Sequence, residues 1–258
     1  MDLLPENSPR PVKLRKPALP GTLVLKEDAE TVLDAVAADL FIQASNCVRA
    51  FGDFHLALSV FPGSEPLLRQ IMFDPALREL PWKRTHLWLL DEDFGSPEGA
   101  PRGPLGSTLY DLVVEPSDIP SDQVHLISGE GGAAEHAYER RLKETLGWRE
   151  KGHDRLDFVL LSPEHWIAGG LPQAPERLVA RHGARVSMTH RMVSGSRFLA
   201  VLAGGPTVRP TLERVHRGEA GGVIPIGGEL RWYLDPLACP TYVPPPTNGP
   251  ANSGASPA

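Results

Sequence analysis

Two cysteines in 258 residues, Cys47 and Cys239, are too few and too far apart for a disulfide framework or a CxxC-type zinc site. That scarcity fits a reducing, cytoplasmic setting. No stretch approaches the run of about 18 apolar residues that marks a membrane-spanning helix. The opening residues, MDLLPENSPRP, lack the basic start and apolar middle of a secretory signal. Positive charge is not in excess either. The formal net charge of −6 gives no general attraction to nucleic acid or to an anionic membrane. The short basic cluster Arg10, Lys13, Arg15, Lys16 lies among prolines and reads as a solvated arm. GxSxG, HExxH and P-loop lysine motifs are all missing, which removes the usual signatures of a nucleophile elbow, a zinc protease and a nucleotide-phosphate cradle. The glycines of SGEGGAAEH, Ser128–His136, lack GxGxxG spacing and read as a helix entry. No internal repeat is visible.

What the chain does have is alternation. Residues 1–21 form a Pro-rich flexible arm in this reading, and residues 239–258, rich in Pro, Ser, Gly and Ala, form a disordered tail that cannot bury enough apolar area to order itself. Between them, residues 22–238 read as one α/β domain. Val32, Leu33, Val36, Ala37, Leu40 and Ala44 fall at helical spacing within 27–50. Phe54–Ser59 is a short buried strand, and Glu65–Phe73 a helix with Pro66 in its first turn. Strands follow at Thr85–Leu90, Val124–Ile127, Leu156–Leu161, Arg185–Thr189, Phe198–Ala203 and Leu230–Leu234, and helices at Gly131–Leu146 and Thr207–His216. Residues 93–108 are rich in Gly and Pro and read as a long loop, a feature often tied to function in a compact domain. This order predicts a mostly parallel sheet with helices on both faces. In such a sheet the ligand site lies outside the carboxyl ends of the strands.

The loops at those ends read PGSEP (Pro62–Pro66), LWLLDED (Leu87–Asp93, after Pro81–Trp82), SPEHWIAGG (Ser162–Gly170), RVSMT (Arg185–Thr189), FLAVLAGG (Phe198–Gly205) and WYLD (Trp232–Asp235). IPSDQVHLI (Ile119–Ile127) lies between the second and third. Their order and spacing over roughly 27–238 resemble the 6-phosphogluconolactonase family and the related glucosamine-6-phosphate isomerases. The resemblance implies a Rossmann-like three-layer α/β/α sandwich. It implies hydrolytic opening of a sugar lactone or sugar-phosphate lactone in the pentose phosphate pathway, with no cofactor and no metal. In the family pattern a GGSTP loop and the arginine of a DER motif help hold the phosphate, and a histidine of a DGH motif does acid/base chemistry.

Carried over residue by residue, the resemblance makes His165 the candidate general base, with Glu164 beside it to orient the ring. Imidazole suits that task because its pKa lies near neutrality. Gly63, Ser64, Asp91 and Glu92 become candidate substrate-binding residues. Arg102, His190, Arg191 and Arg209 are the candidate groups at the rim that could supply positive charge. The pattern also departs from the family: Pro62 stands for a glycine, Glu65 for a threonine, Asp93 for the arginine and Val208 for a lysine. Two like charges about 5 Å apart repel by roughly 3 kcal/mol at an effective dielectric near 20, so Glu65 and Asp93 would work against a phosphate. A second reading therefore stays open, that of a non-catalytic relative serving as a ligand-binding or protein-interaction module. Nothing in the sequence fixes an oligomeric state.

Overall fold

The computed structural model describes residues 15–95, 102–128, 133–150 and 153–243. The arm before residue 15, the tail after 243, the glycines at 131–132 and the middle of the predicted 93–108 loop lie outside the described residues. The chain forms β1 (Thr22–Leu25), α1 (Ala29–Phe51), β2 (Phe54–Leu58), α2 (Glu65–Phe73), β3 (Thr85–Leu89) and β4 (Asp91–Asp93). Next come α3 (Pro104–Leu109), β5 (Val124–His125), α4 (Ala134–Leu146), β6 (Phe158–Leu161) and α5 (Pro163–Trp166). The last elements are β7 (Val179–His182), β8 (Arg185–Met188), α6 (His190–Ser194), β9 (Phe198–Ala203), α7 (Arg209–His216) and β10 (Glu229–Leu234).

Seven strands make one sheet in the order β1-β10-β9-β6-β2-β3-β5, and every pairing in it is parallel. β2, β6 and β9 are buried along their whole length, as the unbroken apolar runs require when helices cover both faces. From β2 the chain winds one way, through β3 to β5, and from β6 it winds the other way, through β9 to β10. The direction of winding therefore reverses between β2 and β6. Right-handed crossovers put α1 and α2 on one face and α4 and α7 on the other. This is the Rossmann-like three-layer arrangement that the alternation predicts.

The two described ends of the 93–108 stretch carry secondary structure where the sequence reads as loop. Asp91–Asp93 is a strand, and with β8 and β7 it builds a second, antiparallel sheet. Pro104 opens α3, which runs on through a π-helical turn at Tyr110–Val114. The packed chain also reaches past 22–238. Trp232 Nε1 donates to the Pro20 carbonyl, and Cys239 is fully buried. Both cysteines are free, and burial pushes the Cys47 thiol up to about 12. Among the described residues one helix, α1, is long and apolar enough by composition to cross a membrane. In this fold its stripe of Val32, Val36, Ala37, Leu40, Ala44 and Cys47 is buried.

The amino-terminal edge of the sheet is held by charge. The Arg149 side chain, 5% exposed, reaches Asp157 Oδ1 at 2.9 Å and Oδ2 at 2.7 Å, and Asp53 Oδ1 through Nε at 2.8 Å. Asp157, fully buried, also accepts from Arg197 Nε at 3.1 Å and from the His55 backbone N–H at 2.8 Å. Beside it three imidazoles stack across neighbouring strands: His55 on His86 at 4.5 Å and His86 on His125 at 5.4 Å. His125 in turn lies 3.7 Å from the Trp88 ring. Burial, then the neighbouring imidazole, pushes His86 down to about 4 and His125 down to about 3. The unfolded histidines take up protons below about 6.5 while the folded ones stay neutral, so stability falls as pH drops through that window. The slope is about 1.4 kcal/mol per pH unit for each fully shifted histidine. Urea titrations from pH 7 to pH 4 are expected to show this limb, and His125→Phe is expected to flatten it. An unchanged slope in that variant counts against the stack as its source.

Candidate active site

The reversal between β2 and β6 brings three chain segments to one point at the carboxyl edge of the sheet. Ser59 follows β2, Ser162 and His165 follow β6, and Asp91 follows β3. Parallel pairing sets this convergence: the Ser59 N–H donates to the Leu160 carbonyl and the Leu90 N–H to the Leu58 carbonyl. Ser162 is the N-cap of α5 and its hydroxyl oxygen accepts the His165 backbone N–H at 3.3 Å. The same hydroxyl lies 2.9 Å from His165 Nδ1, and the Ser59 hydroxyl lies 3.3 Å from it. Hydroxyls facing Nδ1 favour the tautomer in which they donate to that nitrogen and the ring proton sits on Nε2. Nε2 faces Asp91 Oδ1 at 3.5 Å. His165 is 8% exposed and Asp91 is fully buried. The resulting order is carboxylate, imidazole, hydroxyl, an arrangement that can pass a proton through Nδ1 while Asp91 steadies the positive ring.

Asp91 has a second neighbour that the sequence reading did not single out. Arg185 Nε lies 3.3 Å from Asp91 Oδ2, and the Arg185 side chain is 44% exposed. Of the candidate arginines, none meets Asp91. Arg102 lies over the Tyr110 ring at 3.8 Å. Arg191 donates to the Pro175 carbonyl at 2.5 Å. Arg209 pairs with Glu213 and donates to the Pro240 and Tyr242 carbonyls. His190 begins α6, and its backbone N–H donates to the Pro172 carbonyl.

The other sequence candidates separate into two groups. Asp91 and His165 come together. Glu164 is exposed, and the carboxylate beside the ring is Asp91 instead. Glu92 is fully buried and turned onto the start of α3. Its carboxylate accepts the backbone N–H groups of Asp93, Leu105 and Gly106 and so caps the start of α3. A Cβ at Gly103 would come within 2.3 Å of that carboxyl, which is why glycine stands there. Burial pushes the Glu92 carboxyl up in spite of the three donors. Ser64, fully buried, donates to the Phe61 carbonyl and accepts the Phe61 N–H, closing its own turn around the exposed Gly63. Asp93 is exposed and accepts from the Gly95 N–H, closing a local turn.

One trio among the described residues, Asp53, His55 and His86, has the spacing of metal ligands. Trp88 Nε1 donates to His55 Nδ1 at 3.1 Å. The His55 proton must then sit on Nε2, facing Asp53 at 3.4 Å, and no lone pair is left there for an ion.

The family profile described as glucosamine-6-phosphate isomerases/6-phosphogluconolactonase matches residues 27–229. The chain belongs to this family. It is 28% identical over 233 residues to the human GDH/6PGL endoplasmic bifunctional protein, a match covering 80% of this chain and 29% of that protein. The chain therefore spans less than a third of that relative's length. A 6-phosphogluconolactonase from Nostoc sp. is 25% identical over 81% of this chain and 93% of its own. Among solved structures, that of 6-phosphogluconolactonase from Thermotoga maritima superposes with a TM-score of 0.67 at 18% identity, covering 83% of this chain and 99% of that one. That of a monomeric glucosamine-6-phosphate deaminase gives 0.65 at 15% identity, covering 84% and 98%. At these identities the structures speak to the fold alone.

Proposed function

We propose that this protein hydrolyses a sugar lactone, opening the ring to the free acid. The observation that supports it best is the position of His165, held between Asp91 and two serine hydroxyls at the point where the sheet reverses direction. Membership of a family that includes lactonases points the same way. In this reading water attacks the lactone carbonyl and its proton reaches His165 Nδ1 through the Ser162 hydroxyl, which lies 2.9 Å from that nitrogen. Asp91, at Nε2, stabilises the imidazolium that forms. The tetrahedral intermediate then collapses, the ring C–O bond breaks, and the imidazolium returns the proton to the departing ring oxygen. No redox step and no group transfer other than to water is required. The partner is thus a small sugar lactone, and Ser162 both fixes the ring and relays the proton.

The test is the hydrolysis of freshly generated 6-phosphogluconolactone, followed by acid release against a no-enzyme control, because the lactone also opens on its own. A protein-dependent rate proportional to concentration is the expected result. A rate equal to the control at high protein concentration would exclude this substrate and return the non-catalytic reading to the front.

A further inference from the structure

We infer that Arg185 is the residue through which this site selects an anionic substrate. The inference rests on the lactone-opening reading and adds to it the group that reads the substrate's charge. The register of the small sheet carries the argument. Asp93 lies directly opposite Arg185 across β4 and β8, and Asp91 opposite Ser187. Side chains at directly opposed positions share a face, and the diagonal neighbour lies within reach of a long side chain. Asp91, Asp93 and Arg185 therefore belong to one face of the ribbon. Asp93 is turned aside to the Gly95 N–H. The Asp91 carboxylate is fully buried, with its two oxygens directed at His165 and Arg185. What this face offers to solvent is the Arg185 side chain, 44% exposed, beside the exposed Asp93 carboxylate that is tied to the Gly95 N–H.

The fork makes the choice specific. Nε is the atom nearest Asp91, and Arg185 has no other ion pair among the described residues. A guanidinium presents five N–H donors in a fixed plane, and that plane matches phosphate or carboxylate oxygens two at a time. A single carboxylate does not exhaust it. The same Asp91 links the two functions: one oxygen faces the imidazole that would do the chemistry, and the other faces the arginine that would hold the charge. An anionic group on Arg185 would thus sit one carboxylate away from His165. Arg102, Arg191 and Arg209 are engaged elsewhere, so the described residues provide no equivalent cation beside Asp91.

The test compares wild type, Arg185→Gln and Arg185→Lys on two substrates, 6-phosphogluconolactone and unphosphorylated glucono-1,5-lactone. The expected result is at least a tenfold fall, in Arg185→Gln, of the ratio of kcat/KM for the phosphorylated lactone to kcat/KM for the neutral one, carried by a rise in KM for the phosphorylated lactone; thermal unfolding of each variant reports the fold. Arg185→Lys should recover part of the loss, since it keeps the charge without the fork. Equal losses on both substrates would mean that Arg185 only positions Asp91, and an unchanged KM would mean that it does not touch the anion. Either result overturns the inference. Calorimetric binding of the product, 6-phosphogluconate, is measured alongside. If wild type turns over neither lactone, the hydrolase reading fails. The inference on Arg185 is then decided by whether Arg185→Gln weakens that binding tenfold or leaves it unchanged.

Discussion

His165→Ala is expected to lower kcat for lactone opening by about 10²–10⁴-fold, the usual worth of a positioned general base. Asp91→Asn should lower it by up to about 10⁴-fold, the cost known for the carboxylate of a carboxylate–imidazole–hydroxyl order. Glu164→Ala should change it by less than twofold. The contrast is the useful part, because adjacency in sequence and adjacency in space disagree here. Glu164 sits beside His165 in the chain but is exposed, whereas Asp91 comes from another strand and faces Nε2 at 3.5 Å. Steady-state kinetics on freshly prepared lactone, corrected for spontaneous opening, would measure all three. A Glu164 variant as damaged as the His165 variant would mean that α5 rearranges and that Asp91 is not the ring's partner. Asp91→Asn carries a cost of its own, since it leaves Arg185 without its carboxylate. Its stability must be measured beside its rate.

The elements written in local pattern were readable in the chain, and those imposed from a distance were not. The stripe Val32, Val36, Ala37, Leu40, Ala44 gives α1 to within two residues, and the unbroken run of β9 gives Phe198–Ala203 outright. β4 is different. Its sequence is Asp-Glu-Asp, which has no strand propensity, and it is a strand because β8 pairs with it. Two site assignments depended on that pairing. Without it Asp93 and Arg185 have no register, so Arg185 passes as the first residue of RVSMT. Without α3, which hides behind Gly103 and Pro104, there is nothing for Glu92 to cap. It then reads as a free carboxylate facing substrate. His165 was legible through the family resemblance, as the histidine in the loop that follows a buried strand. Its partners were not, because Ser59 and Asp91 reach it only through the parallel pairing of β2 with β6 and β3.

The largest expected effect on stability lies at the other end of the strand that carries His165. Asp157 precedes β6 as His165 follows it, and it is fully buried against Arg149 and Arg197. Asp157→Ala removes one acceptor and leaves two guanidinium groups and the His55 N–H without it. Removing one partner from a buried ion pair typically costs 3–5 kcal/mol, because the charge left behind stays buried. For a chain of this size that is a fall in Tm of roughly 6–20 °C. Arg149→Ala should cost a similar amount, since it strands Asp157 and Asp53 together. The double variant should cost at least about 1 kcal/mol less than the sum, because each single change already breaks the shared contact. Urea unfolding of the four proteins closes that cycle. Additive costs, or a cost below about 1 kcal/mol for Asp157→Ala, would show that the network is solvated and decides little. The same variants also test whether the two ends of β6 are independent. Below the shifted Tm, the folded Asp157→Ala protein should keep the wild-type kcat within about twofold, since its contacts lie at the sheet edge opposite His165. A large loss of kcat in folded protein would mean that the buried network fixes the position of β6, and through it the alignment of His165 with Asp91.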